Sequence, residues 1–269
     1  MKYDLFITDF DGTLGKAPDI IDPETVFAIK EYISRGGKFA IASGRMFDSL
    51  KNIFAKYGIF GIAISDQGAS IKNAVSGEDI FTGGIPVDLA VSVITDLRNK
   101  NVQIITVIDD KLFYEEKSKW TDFYESALVV GGNKVEDLIA FIKNTNKPVL
   151  KIAALDYTEK IMPLTEEFIS IEKYKGKLIF NNGAPIIMEV VSPFSSKGVA
   201  VKVLADNLNI PYEKVIAVGD SNNDLSMMQG AWHTVAVGDG EEVLKSAAKE
   251  VTVPFPENPV KFLLEKYCL

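Results

Sequence analysis

Histidine and cysteine occur once each, as His233 and Cys268, and this scarcity excludes whole classes of chemistry. One cysteine cannot form an intramolecular disulfide, and its absence of a partner fits a reducing compartment. Next to the C-terminal residue, Cys268 is also a poor candidate nucleophile. One histidine leaves no histidine-cluster metal site and no phosphohistidine chemistry that depends on further histidines; His233, at a strand start after Ala231-Trp232, reads as structural. No apolar run approaches the roughly 20 residues needed to cross a bilayer. The opening MKYDLFITDFDGT acquires carboxylates too early for a signal peptide. Basic residues are outnumbered, 29 Lys and Arg against 37 Asp and Glu for a formal net charge of −8. That balance argues against non-specific nucleic-acid binding. The chain is therefore expected to be soluble and cytoplasmic, with neither a nucleic-acid nor a membrane partner.

What is plentiful is carboxylate. If the substrate is an anion, positive charge must be concentrated locally by a metal, a few lysines or arginines, and helix N-termini. The 269 residues, 47% hydrophobic and 25% charged, are ordinary globular composition for one large domain or two smaller ones. Such a chain buries enough surface to need no disulfide or structural metal.

Three short apolar runs end alike: LFIT runs into Asp9, FAIA into Ser43 and VIAV into Gly219-Asp220. Runs of four or five apolar residues, too short for helices and not alternating, read as strands buried on both faces of a parallel sheet. Helical patterns separate them. One opens at the Asp22-Pro23 cap pair and closes at Gly36-Gly37, and another carries Phe47, Leu50, Ile53 and Phe54 before Gly58. A third is capped by Ser195 or Ser196. This alternation predicts a doubly wound, Rossmann-like α/β core, in which ligands bind beyond the carboxyl ends of the strands. From about Thr82 to Pro185 the pattern changes, with helices near Val87–Asn99 and Val135–Lys143 and strands near Val102–Ile108, Val149–Ala154 and Ile186–Val191. That section reads as an inserted α/β domain, placing the core at residues 1–82 and 188–269 and the insertion at 83–187.

Four motifs lie at the strand ends. In Asp9-Phe10-Asp11-Gly12-Thr13, two carboxylates flanking one residue can divide nucleophilic attack from acid–base work, although D-x-D-G alone is equally a polar turn. Gly219-Asp220-Ser221-Asn222-Asn223-Asp224 packs two carboxylates and two amides behind a buried strand, an oxygen-rich setting suited to magnesium or simply a helix cap. Asp9 and Asp220 together would repel one another without a cation. Ser43-Gly44-Arg45 and Ser196-Lys197-Gly198 each place a hydroxyl before an amide-rich helix start, a natural phosphate cradle, although singly each is weak.

Taken in this order, D-x-D-G-T, Ser, Lys and G-D-x-x-x-D resemble the haloacid dehalogenase superfamily over most of the chain. The long insertion between the second and third motifs is similar to the α/β cap of the Cof-type sugar-phosphatase branch, as are the phrases IASGR, MEVVSPFSSKG and VIAVGDSNND. The resemblance implies a phosphatase using Mg2+. Asp9 would be nucleophile and metal ligand. Asp11 would be acid and base, with its carbonyl on the metal. Lys197 would pair with the phosphoryl group, and Ser43, Gly44 and Asn223 would contact substrate, as would Arg45 near the cleft unless it serves equally as a helix cap or a surface salt bridge. Asp220 would ligate the metal directly and Asp224 would support it from behind. The cap would close over the cleft and select a small phosphorylated substrate; its specificity residues are not legible in the sequence, the polar or aromatic positions to inspect being Asp109, Asp110, Lys117, Lys119, Trp120 (equally a core residue), Asn181 and Asn182. One departure stands out: Gln67 occupies the place of an asparagine common in the branch. A sugar phosphomutase and a non-catalytic phosphometabolite-binding regulator are the alternative functions, and a monomer or small homo-oligomer is expected.

Overall fold

A computed structural model of the chain describes residues 1–128 and 130–269. Its strands, in chain order, are β1 (Leu5–Thr8), β2 (Lys38–Ala42), β3 (Ile62–Ser65), β4 (Ser70–Asn73), β5 (Asp79–Thr82), β6 (Gln103–Ile108), β7 (Lys111–Tyr114), β8 (Gly132–Lys134), β9 (Val149–Leu155), β10 (Ile179–Ala184), β11 (Ile187–Val191), β12 (Val215–Gly219), β13 (His233–Ala236) and β14 (Glu250–Val251). Two compact units result, Met1–Phe81 with Ser196–Leu269, and Thr82–Ser195.

The first unit is built on an eight-stranded sheet of order β14-β13-β12-β1-β2-β3-β4-β5. From β14 to β3 the pairings are parallel, and β4 returns antiparallel to β3. All four residues of β1 are buried, and successive side chains enter opposite layers, as a period of two requires. Phe6, with Phe39, Ile41 and Val218, packs under the helices Pro23–Ser34, Phe47–Tyr57 and Pro259–Tyr267. Leu5 and Ile7, with Ala40, Ala42 and Ala217, pack under Lys197–Asn207, Leu225–Met228 and Glu242–Ala247. This two-sided burial explains the unbroken apolar runs and makes the core a doubly wound α/β layer. Asp22 caps its helix as expected, its Oδ1 accepting from the backbone N–H groups of Glu24 and Thr25. No helix among the described residues is long and apolar enough to cross a membrane.

The inserted unit is a second α/β layer, a six-stranded sheet of order β10-β11-β9-β6-β7-β8. Its helices Val87–Arg98, Leu138–Thr145 and Thr158–Ser170 enclose a core that includes Ile94, Ile152, Phe168 and Met188. The return to the first unit falls later than residue 188. Strand β11 is hydrogen-bonded between β9 and β10, both antiparallel, so its apolar run completes the second sheet and the unit extends to Ser195.

Candidate active site

Parallel pairing in register brings the ends of β12, β1 and β2 to one edge, with Thr8 opposite both Val218 and Ile41. The residues that follow inherit this alignment. Asp9 N–H still donates to Val218 O at 2.9 Å, and Ser43 N–H to Ile64 O at 2.9 Å. Segments about 200 residues apart in sequence thus deliver their polar ends together.

Asp9 is buried, 4% exposed, and Lys197 Nζ donates to its Oδ1 at 2.6 Å. The same ammonium donates to Asp224 Oδ1 at 2.6 Å, so one fully enclosed cation serves two carboxylates. Lys197 can be presented this way because Ser196 caps its helix, the Ser196 hydroxyl accepting from Val199 N–H. The other oxygen of Asp224 accepts from the backbone N–H groups of Asp220 and Ser221, and the Ser221 hydroxyl closes a reciprocal capping box. Both oxygens of Asp224 are therefore already hydrogen-bonded within the site. Asp220 accepts from Thr13 Oγ1 at 2.8 Å. Between them Gly12 has φ +87°, and a Cβ there would lie 2.8 Å from Asp220 Oδ2, so only glycine both adopts this turn and leaves room for the carboxylate.

Asp9, Asp220 and Asp224 each offer one carboxylate oxygen, all within 4.8 Å of one another. Burial pushes the Asp9 carboxyl up to about 7, with the negative charges of Asp224 and Asp220 adding to the effect and Lys197 opposing it. Asp220 is also raised, chiefly by burial. Lys197 is raised because its two carboxylate partners outweigh its desolvation. Three crowded carboxylates balanced by one ammonium form a donor set that a hard divalent cation fits.

A pH dependence follows. Raised carboxyls bind more protons in the folded than in the unfolded state, so they lower stability as pH rises from about 4 to about 7. Carboxylates lowered by ion pairs and hydrogen bonds, such as Asp137 and Glu250, act in the opposite sense, but only as pH falls through the ordinary carboxylate range. The melting temperature is expected to decline between about pH 5 and pH 8. A melting temperature that climbs across this window would contradict the electrostatic picture.

Asp11, about half exposed, points to a different partner. Arg45 grips its carboxylate from two nitrogens, Nε to Oδ2 at 2.8 Å and Nη2 to Oδ1 at 2.6 Å. Ser43 is buried, and its Oγ accepts from the Arg45 backbone N–H at 3.2 Å. Gln67 has φ +59°, donates its backbone N–H to Ser43 O at 3.0 Å, and places Nε2 2.7 Å from where a Cβ on Gly44 would stand. Asn223 is exposed, its Oδ1 accepting from Ser221 Oγ. His233 stacks on Tyr3 and meets Glu250 Oε2 at 2.8 Å, a sheet-edge anchor. In the inserted unit Lys117 pairs with Asp122 and Glu125, Asp109 with Lys147, and Asn182 Nδ2 with Thr165 Oγ1. Trp120 meets Tyr157 edge-on, with Lys119 Nζ over both rings.

Residues 6–263 match the haloacid dehalogenase-like hydrolases, so the chain belongs to that family, and within it is an enzyme of the phosphatase class. It is 23% identical to the 5-amino-6-(5-phospho-D-ribitylamino)uracil phosphatase YitU of Bacillus subtilis, over 98% of this chain and 97% of that protein. It is also 23% identical to the chloroplastic endoribonuclease YBEY of Arabidopsis thaliana, but spans only about half of that relative, 47% of its length. The crystal structure of TM0651 from Thermotoga maritima is 28% identical and has a TM-score of 0.88, with 98% of this chain covering 97% of that one.

Proposed function

We propose that the protein is a magnesium-dependent phosphatase that hydrolyses a small phosphorylated metabolite, a sugar phosphate or similar, in the cytoplasm through an aspartyl-phosphate on Asp9. The observation that carries this reading is the buried Asp9 at the end of β1, paired with Lys197 and crowded by Asp220 and Asp224. A carboxylate kept dry and poised against positive charge is an activated nucleophile, and phosphoryl transfer depends chiefly on positioning and charge stabilisation.

In the first step an Asp9 oxygen bonds to phosphorus, the P–O ester bond breaks, and the leaving oxygen takes a proton from the Asp11 carboxyl. In the second, a water oxygen bonds to phosphorus, the Asp9–phosphorus bond breaks, and Asp11 recovers a proton from that water. Lys197 orients Asp9 and meets the phosphoryl charge, and Ser43 and the amides after it receive the phosphoryl oxygens. Asp9, Asp220 and the Asp11 backbone carbonyl would hold Mg2+, with Asp224 in support; the ion supplies charge neutralisation at the nucleophile and the phosphoryl group. The inserted unit, Thr82–Ser195, would act as the cap that chooses among substrates. The name of the Bacillus subtilis relative makes a phosphomonoester of a polyol a sensible first compound to assay.

Assay against a panel of phosphorylated metabolites, with and without chelator, tests the reading. Inorganic phosphate should appear in step with substrate loss. EDTA should silence the enzyme and magnesium restore it. Isomerised sugar phosphate without phosphate release would instead indicate a mutase, and full activity in chelator would be incompatible with a magnesium site.

A further inference from the structure

The carboxylates of the cluster are held from within the site, Asp9 and Asp224 by the shared Lys197 and Asp220 by Thr13. Asp11 differs. Among the described residues its side chain is hydrogen-bonded by Arg45 alone, from two nitrogens. The side chain of Asp11 is 49% exposed, so without that grip its two torsions would be free to wander.

Arg45, by contrast, is restrained along its whole length. Its backbone N–H donates to Ser43 Oγ at 3.2 Å and its C=O accepts from Asp66 N–H at 3.0 Å. The remaining guanidinium nitrogen, Nη1, donates to the Pro18 carbonyl. The guanidinium carbon lies 4.5 Å from the ring centroid of Phe10, the residue between the two aspartates. A planar fork fixed at these points sets the plane of the carboxyl group it grips, which a lysine ammonium could not do. Each carboxyl oxygen offers two lone-pair directions, and the fork uses one on each, leaving one on each.

We propose that Arg45 is a positioning residue for Asp11: its guanidinium, anchored on Phe10 and Pro18, fixes the direction in which the Asp11 carboxyl meets the leaving-group oxygen. This rests on the acid–base reading of Asp11 above and assigns Arg45 a duty apart from direct contact with substrate. The physical requirement is distance, because proton transfer works only when the two oxygens come within hydrogen-bond reach.

Two aryl esters of similar shape test it, p-nitrophenyl phosphate and phenyl phosphate, assayed with the full-length, magnesium-loaded enzyme. The nitrophenolate leaves readily without a proton, and the phenolate far less so. In Arg45→Ala, kcat/KM, which reports the leaving-group step and not the later hydrolysis common to both esters, should fall about tenfold further on phenyl phosphate than on p-nitrophenyl phosphate, a fraction of the effect of losing the acid altogether. Arg45→Lys, which returns the charge but not the fork, should retain most of that excess. Asp11→Asn, assayed in parallel, should show the same leaving-group excess in larger measure. Circular dichroism and melting temperature confirm that each variant is folded. Equal losses on the two esters in Arg45→Ala, or full recovery in Arg45→Lys, would overturn the positioning role while leaving the phosphatase reading intact. A missing excess in Asp11→Asn would overturn the acid role itself, and the proposal with it.

Discussion

Asp9→Asn is expected to lower kcat by at least about ten-thousandfold, because a carboxamide cannot form the acyl phosphate. The fold should survive. Asparagine is nearly isosteric, and the native carboxylate is held under strain, its proton affinity raised by burial and by Asp224 and Asp220. Removing that charge relieves the cluster, so the metal-free variant should melt at or above the temperature of the metal-free parent. Circular dichroism together with turnover on p-nitrophenyl phosphate separates the two effects. A variant that loses activity because it fails to fold would not count in favour of the account, and one that turns over like the parent would remove the covalent route.

Lys197→Met should be the most destabilising single change in the site. Methionine keeps the unbranched stem but removes the cation that Asp9 and the wholly buried Asp224 share. Breaking a buried ion pair from one side leaves an uncompensated charge, typically at a cost of about 3–5 kcal/mol. Urea unfolding of the metal-free proteins should show this loss, and the double variant with Asp224→Asn should recover part of it, since the two residues are coupled. Activity should fall as well, by roughly a hundredfold or more, because the lysine supplies preorganised charge. A loss below about 1 kcal/mol would mean that the buried triad carries little of the local stability.

The polar edge of the first sheet was legible because burial on both faces of a parallel sheet leaves unbroken apolar runs, and the polar residue ending each run announces itself. Asp9, Ser43 and Asp220 all stand where LFIT, FAIA and VIAVG predict. Local capping chemistry was equally readable at Asp22 and Ser196. Pairings between single side chains were not. Nothing in the spacing says that Lys197 would be shared with Asp224, or that Arg45 would close on Asp11, because a lone lysine or arginine carries no period. Strands such as SIKN at β4 and IFNNGA at β10 escaped notice because their burial is mixed, and β10 shifts register between Asn182 and Ala184. The helix Thr158–Ser170 was hidden by Pro163 within it. The end of the insertion was misplaced because β11, IMEVV, reads like a core strand, and only its pairing with β9 assigns it to the second sheet.

The central claim is that Asp9 takes the phosphoryl group. In Asp11→Asn the carboxylate proposed to activate water is missing, so with p-nitrophenyl phosphate, whose leaving group needs no proton, the phosphorylated enzyme should accumulate. Acid quenching and peptide mass spectrometry should then find one phosphoryl group, on Asp9. A phosphoryl group on any other residue, or continued turnover with none on the protein, would contradict the mechanism.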